Sequence, residues 1–152
     1  MFECFMKFAL DEAKKASDNN EVPVGCVIVR KGEIISSAHN MMKEAFNQTE
    51  HSEMIAIRNA SQKLQSGYLE ECDLYVTLEP CAMCAAAISI ARIRRLYCGA
   101  LDEKSGGIYN NAKLFYGKKG LHHIPDHYSG LLERQCEGVL KDFFIKKRNG
   151  GA

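Results

Sequence analysis

A chain of 152 residues, 46% hydrophobic and 26% charged, has the size and composition of one globular domain, which excludes a disordered or fibrous protein. The net charge of +1 is unevenly spread, because the chain up to Ala91 carries 8 basic and 13 acidic residues and the remainder carries 12 and 6. The basic second half favours a polyanionic partner, and chance clustering on a solvated surface explains it equally well. We expect one domain over residues 1–152.

The sequence contains no candidate for a membrane span or an export signal. The longest strongly apolar run without charge, Cys81 to Ala91, falls well short of the roughly 20 residues that a span needs. The N-terminal stretch MFECFMKFALDEAKK has no basic leader and carries Glu3, so we expect a cytoplasmic protein. In a reducing cytosol, the seven cysteines favour metal binding or simple burial over disulfides.

The first half of the chain predicts a helix, a hairpin and a second helix. Apolar residues of the segment 2–17 recur at helical spacing, with Phe5, Phe8, Ala9, Ala13 and Ala16 along one stripe. The stretch VGCVIVRKGEIISSAHN predicts strands over 24–30 and 33–39 around Lys31-Gly32. The stretch EHSEMIAIRNASQKLQ then predicts the second helix.

The second half continues with strands and helices in alternation. DLYVTLE predicts an interior strand, which Pro80 ends at or next to the first position of a third helix. RRLYCGA predicts a further strand, residues 101–125 a loop with a short helix, and LLERQCEGVLKDFFIKKR a closing helix. This order indicates an α/β domain in which helices cover a mixed sheet.

Two short motifs bring metal-binding side chains to the starts of neighbouring helices. HSE at 51–53 opens the second helix, and PCAMC at 80–84 opens the third. Cys81 and Cys84 are three residues apart, so both point to one side of the first helical turn. One imidazole, from His51, and two thiolates form a donor set that prefers zinc to magnesium or calcium. The positive end of a helix also lowers thiol pKa values.

Three protein ligands leave the fourth tetrahedral position free for water, as in a catalytic zinc site. Two thiolates neutralise the ion's charge, so such a zinc acidifies its water less than a site of three histidines does. A nearby base is therefore useful. Glu53, two residues after His51, is the candidate that takes the proton from water and passes it to the leaving group.

His51-Ser-Glu53, followed by Pro80-Cys81-x-x-Cys84, looks like the signature of the cytidine/deoxycytidylate deaminase superfamily. Within it the chain resembles the bacterial tRNA-specific adenosine deaminases. The matching stretches cover most of residues 1–108 and the last helix: EVPVGCVIV, Asn40, TEHSEMIAIRNA, LYVTLEPCAMCAAAI, RIRRLYCGALDEKSGG and LKDFF. The chain departs from this family at Ser52, where alanine is usual, and in a longer segment from Ile108 to Gly130.

The resemblance implies a three-layer fold with a mixed central sheet of about five strands flanked by helices. It implies one Zn²⁺ per subunit, held by His51, Cys81 and Cys84, and Glu53 as the proton shuttle that converts adenosine to inosine. The implied substrate is the wobble adenosine of a tRNA anticodon loop, which is splayed into the pocket at modest cost. The implied substrate contacts are Asn40, the backbone N–H of Ser52, the pocket walls Val22 and Pro23, and Asp102 beside the RNA. A homodimer is also implied.

Four alternatives stay open at this point. In the first, Cys81 and Cys84 are a redox pair, and in the second they belong to a structural zinc site that Cys72 or Cys98 completes. In the third, the protein deaminates a free base or nucleoside, such as cytosine, cytidine or guanine, since enzymes of both kinds share the signature residues. In the fourth, it is an inactive, zinc-stabilised RNA-binding protein, an alternative that the presence of Glu53 disfavours.

Overall fold

The structure, a computed structural model, describes residues 2–116, 121 and 123–150, with side chains from Cys4 onwards. The described part of the chain forms four helices and five strands. The helices are α1 (Phe2–Asp18), α2 (Ser52–Leu64), α3 (Ala82–Ile90) and α4 (Glu133–Arg148). The strands are β1 (Gly25–Arg30), β2 (Glu33–His39), β3 (Cys72–Leu78), β4 (Arg95–Ala100) and β5 (Asp126–Tyr128).

The five strands form one mixed sheet in the order β2-β1-β3-β4-β5. β1 pairs antiparallel with both β2 and β3, whereas β3–β4 and β4–β5 are parallel. The predicted three-layer α/β architecture is therefore confirmed.

Alternate residues of the central strands face two separate cores, because successive side chains of a strand point to opposite faces. Leu74 and Val76 of β3 belong to the core that includes residues of α2 and α3, and Tyr75 between them belongs to the core that includes residues of α1 and α4. Helices on both faces thus hide a sheet whose central strands are apolar on each side.

Gly25, at the start of β1, lies directly against α1. A Cβ built there would lie 1.9 Å from the backbone oxygen of Ala9, so only glycine fits. Its N–H donates to Thr77 Oγ1 over 3.1 Å. The close approach of Gly25 to Ala9 allows α1 to pack directly on the sheet.

Three tyrosines form a ladder across the parallel half of the sheet. The rings of Tyr75 and Tyr97 stack with centroids 4.5 Å apart, and those of Tyr97 and Tyr128 stack at 5.3 Å. Each ring comes from a different strand, so the ladder ties the short edge strand β5 to β3 and β4.

Some local expectations were wrong. Residues 126–128 form the edge strand β5, and the described residues between 101 and 125 contain no helix. Pro80 precedes the N-cap residue Cys81 and does not occupy the first helical position. Phe8 is 48% exposed, because Met6, Ala9 and Leu10 take the inner stripe of α1. Among the described residues, no helix has the length and apolar character needed to cross a membrane.

Candidate metal centre and catalytic pocket

Two helix starts bring one imidazole and two sulfurs together. His51 is the N-cap residue of α2, and Cys81 is the N-cap residue of α3. His51 Nδ1 lies 3.6 Å from the sulfur of Cys81 and 3.6 Å from that of Cys84. Among the described residues, these form the only group of three or more His, Cys, Asp or Glu residues whose ligand atoms all lie within 4.8 Å of one another.

This donor set fits a zinc ion. One nitrogen and two sulfurs face a common point, and no fourth His, Cys, Asp or Glu side chain of the described residues joins the group. Cys72 lies at the opposite end of β3 from Cys81, and Cys98 is buried in β4. The arrangement therefore matches a three-ligand site with an open position and disfavours the closed structural site.

Hydrogen bonds within the cluster shift the pKa values of its three groups. The hydrogen bond from the Cys84 thiol to Cys81 lowers the pKa of Cys81 to about 4 and raises the pKa of Cys84. The Cys81 sulfur in turn raises the pKa of His51 through a hydrogen bond. A metal ion needs thiolates and a neutral imidazole, so its binding displaces protons from this cluster.

Glu53 lies beside the cluster, in the first turn of α2. Its side chain is buried, and burial raises the pKa of its carboxyl group, an effect that the hydrogen bond from Ser52 partly offsets. The Ser52 hydroxyl donates to Glu53 Oε1 over 2.7 Å and holds the carboxylate at the cavity. A buried carboxylate with a raised pKa suits a group that takes up and returns protons.

Asn40 caps α2 from outside the helix. His51 makes no side-chain cap hydrogen bond, since its ring faces the two cysteines. Asn40 Oδ1 instead accepts the buried N–H of Ser52 over 2.8 Å, and its Nδ2 donates to the Val22 carbonyl over 3.2 Å. Asn40 thus accepts the hydrogen bond of a helix-terminal N–H group, a role that the side chain of the N-cap residue His51 does not fill. The N–H of Ser52, predicted to contact the base, is already donated to Asn40.

A cavity of about 170 Å³ opens over this arrangement. Of the residues predicted to form the site, Val22, Asn40, His51, Glu53, Cys81 and Asp102 line it. Cys84 and Ser52 lie buried behind the wall. Pro23, predicted as a wall, is buried and not among the lining residues, and its neighbour Val24 lines the cavity in its place. Asp102 Oδ1 accepts the N–H groups of Lys104 and Ser105, which shapes its own turn.

Two buried glutamates next to the cavity escaped sequence reasoning. Glu21 is 1% exposed and accepts the N–H groups of Lys43 and Glu44 in the loop after β2. Glu79 is 2% exposed, lines the cavity and accepts four hydrogen bonds from the loop after β4. For Glu79 the only signal in the sequence was its place directly after an apolar strand.

Similarity to known proteins agrees with this geometry. Residues 2–100 match the family model described as the cytidine and deoxycytidylate deaminase zinc-binding region. The chain belongs to this family. The predicted zinc-binding deaminase is thereby confirmed, and with it the identification of the three-ligand cluster as one that fits the family's metal.

Several members of this deaminase family resemble the chain over almost its whole length. A tRNA-specific adenosine deaminase of Agrobacterium fabrum is 47% identical over 144 residues, which are 95% of this chain and 94% of the relative. That of Aquifex aeolicus is 45% identical over 147 residues, 97% of this chain and 96% of the relative. A solved structure from work on A-to-I editing by tRNA:A34 deaminases at the wobble position of transfer RNA is 47% identical, has a TM-score of 0.87, and covers 90% of this chain and 98% of its own.

Proposed function

We propose that this protein hydrolytically deaminates the wobble adenosine of a tRNA anticodon loop to inosine. The observation that carries the proposal is the buried Glu53 carboxylate beside the His51, Cys81 and Cys84 cluster, at one small cavity. The resemblance to tRNA-specific adenosine deaminases along 95% of the chain supports adenosine in tRNA as the substrate.

The residues at the cavity have separate roles in this reaction. His51, Cys81 and Cys84 would hold the zinc ion, which when bound supplies a Lewis acid that activates a water molecule. The Glu53 carboxylate accepts the water proton, delivers it to a ring nitrogen, and serves again as the amino group leaves as ammonia. Ser52 donates to Glu53 Oε1 over 2.7 Å and so fixes the orientation of the carboxylate. Asn40 and Val22 contact the nucleoside.

The surface beside the cavity supports an RNA partner. A groove of about 760 Å³ is lined by Lys104, Lys141, Lys147 and Arg148 together with the exposed Phe144 and Ile145. Lys104 adjoins Ser105, which lines the cavity. Basic and aromatic side chains in one groove suit a single-stranded nucleic acid, because the cations meet phosphates and rings stack on bases. Asp102 lines the cavity, two residues before Lys104 of the groove, and would meet the RNA there.

Two further features support a proposal on the assembly and location of the protein. All seven cysteines are free, which supports a reducing, cytoplasmic setting. The helix α3 carries no charged residue, and Ile90 on it is 71% exposed. We infer that α3 packs against a second copy in a homodimer, with one zinc per subunit. Ile90→Glu is expected to give a monomer in analytical ultracentrifugation, whereas a dimer that survives this change would place the interface elsewhere.

The function is tested with RNA and free nucleosides side by side. Zinc-loaded protein is incubated with an anticodon stem-loop bearing a wobble adenosine, with the same RNA bearing guanosine there, and with free adenosine, cytidine and guanine. Inosine should form in the first RNA, with much weaker turnover of the free compounds. Turnover of cytidine or guanine, with none on the RNA, would replace the proposal by the base or nucleoside alternative.

A variant of Glu53 separates catalysis from binding. Glu53→Gln should lower kcat by about 10²–10⁴-fold, the usual contribution of a general acid–base group, while zinc content and RNA affinity stay near wild type. Glu33→Gln, an exposed change on β2, is the matched control and should leave kcat unaltered. If Glu53→Gln deaminated the RNA as fast as wild type, Glu53 would not be the proton shuttle.

A further inference from the structure

Glu79 is a buried carboxylate that the reaction itself does not use. It follows the last residue of β3 and precedes Pro80 and the metal ligand Cys81. It is 2% exposed, and the ion pairs of the described residues do not include it. A buried carboxylate without a cation is costly unless hydrogen bonds compensate for its lost water. Four hydrogen-bond donors around the Glu79 carboxylate provide this compensation.

All four donors come from one short segment, residues 102–110. Oε1 accepts the Asp102 N–H over 3.1 Å and the Asn110 Nδ2 group over 2.8 Å. Oε2 accepts the N–H groups of Ile108 over 3.1 Å and Tyr109 over 2.8 Å. The segment thus wraps around the carboxylate, and three of the four bonds fix its backbone.

The same segment is tied to the candidate metal ligand Cys81 and to Pro80, which precedes it. Gly107 N–H donates to the Pro80 carbonyl over 2.7 Å, and Gly106 forms an isolated bridge with Cys81. Gly106 packs directly on Glu79, since a Cβ there would lie 2.3 Å from the carboxylate carbon. The close contact of Gly106 with Glu79 and the bonds to Pro80 and Cys81 together fix the distance between the segment and the cluster.

This segment supplies part of the cavity wall, namely Asp102 and Ser105. We propose that Glu79 is a positioning residue that sets the place of this wall relative to the metal cluster, and thereby the affinity for the RNA strand. The inference rests on the proposed function, because it identifies the wall as the side that the RNA meets. The carboxylate acts through the segment and does not touch the reacting atoms.

Glu79→Gln is the central variant because it keeps the size of the side chain and removes half of its acceptors. Whichever oxygen the new amide group replaces, it faces two donors, so two of the four hydrogen bonds to the 102–110 segment are lost. Zinc content should stay at the wild-type level. KM for the anticodon stem-loop should rise by about tenfold or more, because two buried hydrogen bonds are lost, while kcat changes less than KM.

Asp73→Asn is the matched control for the loss of a buried carboxylate. Asp73 lies on the same strand, at the end away from the cavity, and is 8% exposed. Its two oxygens pair with Arg94 at 2.9 Å. This change should lower the melting temperature and leave KM for the RNA unaltered. A similar rise of KM in both variants would show a general effect of destabilisation and would overturn the proposal.

Amide hydrogen exchange provides a readout that needs no activity. In Glu79→Gln, exchange should accelerate either at the Asp102 amide or at the Ile108 and Tyr109 amides, depending on the end that the new amide group takes, whereas the amides of β1 should keep their protection. Wild-type protection at 102, 108 and 109 together would overturn the proposal even if KM changed. If wild-type protein made no inosine in the RNA, the proposed function would fail while hydrogen exchange would still decide the role of Glu79.

Two more variants guard against a Glu79→Gln protein that does not fold. Gly106→Ala leaves the carboxylate intact and pushes the segment away from it, so KM should rise with zinc retained; wild-type KM in this variant would overturn the proposal. Asn110→Asp added to Glu79→Gln gives the amide group an acceptor, and KM should move back towards wild type. If KM of the double variant were as high as that of Glu79→Gln, or if the double variant had lost its zinc, the proposal would be overturned.

Discussion

Replacing Asn40 by alanine is expected to lower the free energy of unfolding by about 2–4 kcal/mol, with the magnitude set by two hydrogen bonds. Asn40 is 5% exposed, and Ser52, whose N–H it accepts, is 0% exposed. Alanine leaves that N–H without a partner, at a cost of about 1–3 kcal/mol, and loss of the bond to the half-buried Val22 carbonyl adds about 0.5–1.5 kcal/mol.

The prediction is measured by urea unfolding and thermal melting of the zinc-loaded protein. For a domain of this size, the stated loss corresponds to a melting temperature lower by roughly 4–16 °C. Asn59→Ala, at an exposed position of the same helix α2, is the control and should change stability by less than about 1 kcal/mol. Asn40→Asp keeps the acceptor for Ser52 and loses only the donor to Val22, so its effect should be smaller than that of alanine.

The result that would refute this reasoning is an Asn40→Ala protein within about 0.5 kcal/mol of wild type. Water would then be replacing the amide at Ser52, and the account of how α2 is capped would be wrong. If the variant also kept full activity on RNA, the proposed contact between Asn40 and the nucleoside would fail as well.

Three further predictions concern other parts of the molecule. Gly25→Ala should give no soluble, folded protein, because the added Cβ would lie 1.9 Å from the backbone oxygen of Ala9. The control Gly138→Ala, whose Cβ meets no atom within 4 Å, should give the wild-type circular dichroism spectrum. Burial raises the pKa of Glu12, but hydrogen bonds from His39 and Lys15 outweigh it, so the folded pKa lies below the ordinary 4.5. The carboxylate therefore stabilises the fold above that pH and loses the effect as pH falls; in urea titrations across about pH 3–7, Glu12→Gln should lack this part of the slope. Zinc uptake by metal-free protein near neutral pH should release about one proton or more, because the Cys84 thiol must ionise. Calorimetry in two buffers of different ionisation enthalpy measures the number of protons released. A binding enthalpy that is equal in the two buffers would contradict the prediction.

The order of elements was predictable because each leaves a local mark in the sequence. The strands β3 and β4 are apolar runs, the β1–β2 hairpin has Lys31-Gly32 at its turn, and the helices show their apolar stripes. The edge strand β5 left no such mark, since Asp126, His127 and Tyr128 alternate without an apolar core residue. Its place depends on pairing with β4 and on the stacking of Tyr128, which are long-range contacts.

The ligand cluster was predictable because its chemistry requires particular residue types at particular spacings. The wall of the cavity was not, as Pro23 and Val24 show: which of two neighbours faces the cavity depends on how the chain enters β1. Glu79 and Glu21 were missed for a related reason. Their partners are backbone N–H groups, which every residue offers, so nothing in the sequence of the partner loops reveals the bond.

The ladder of Tyr75, Tyr97 and Tyr128 gives the protein a built-in optical probe. The chain has no tryptophan and six tyrosines, so half of its long-wavelength chromophores lie in that one stack. Detachment of β5 would separate Tyr128 from its neighbours and change the near-ultraviolet dichroism while the helical signal persisted. Release of the sheet edge can thus be followed apart from global unfolding, without a label.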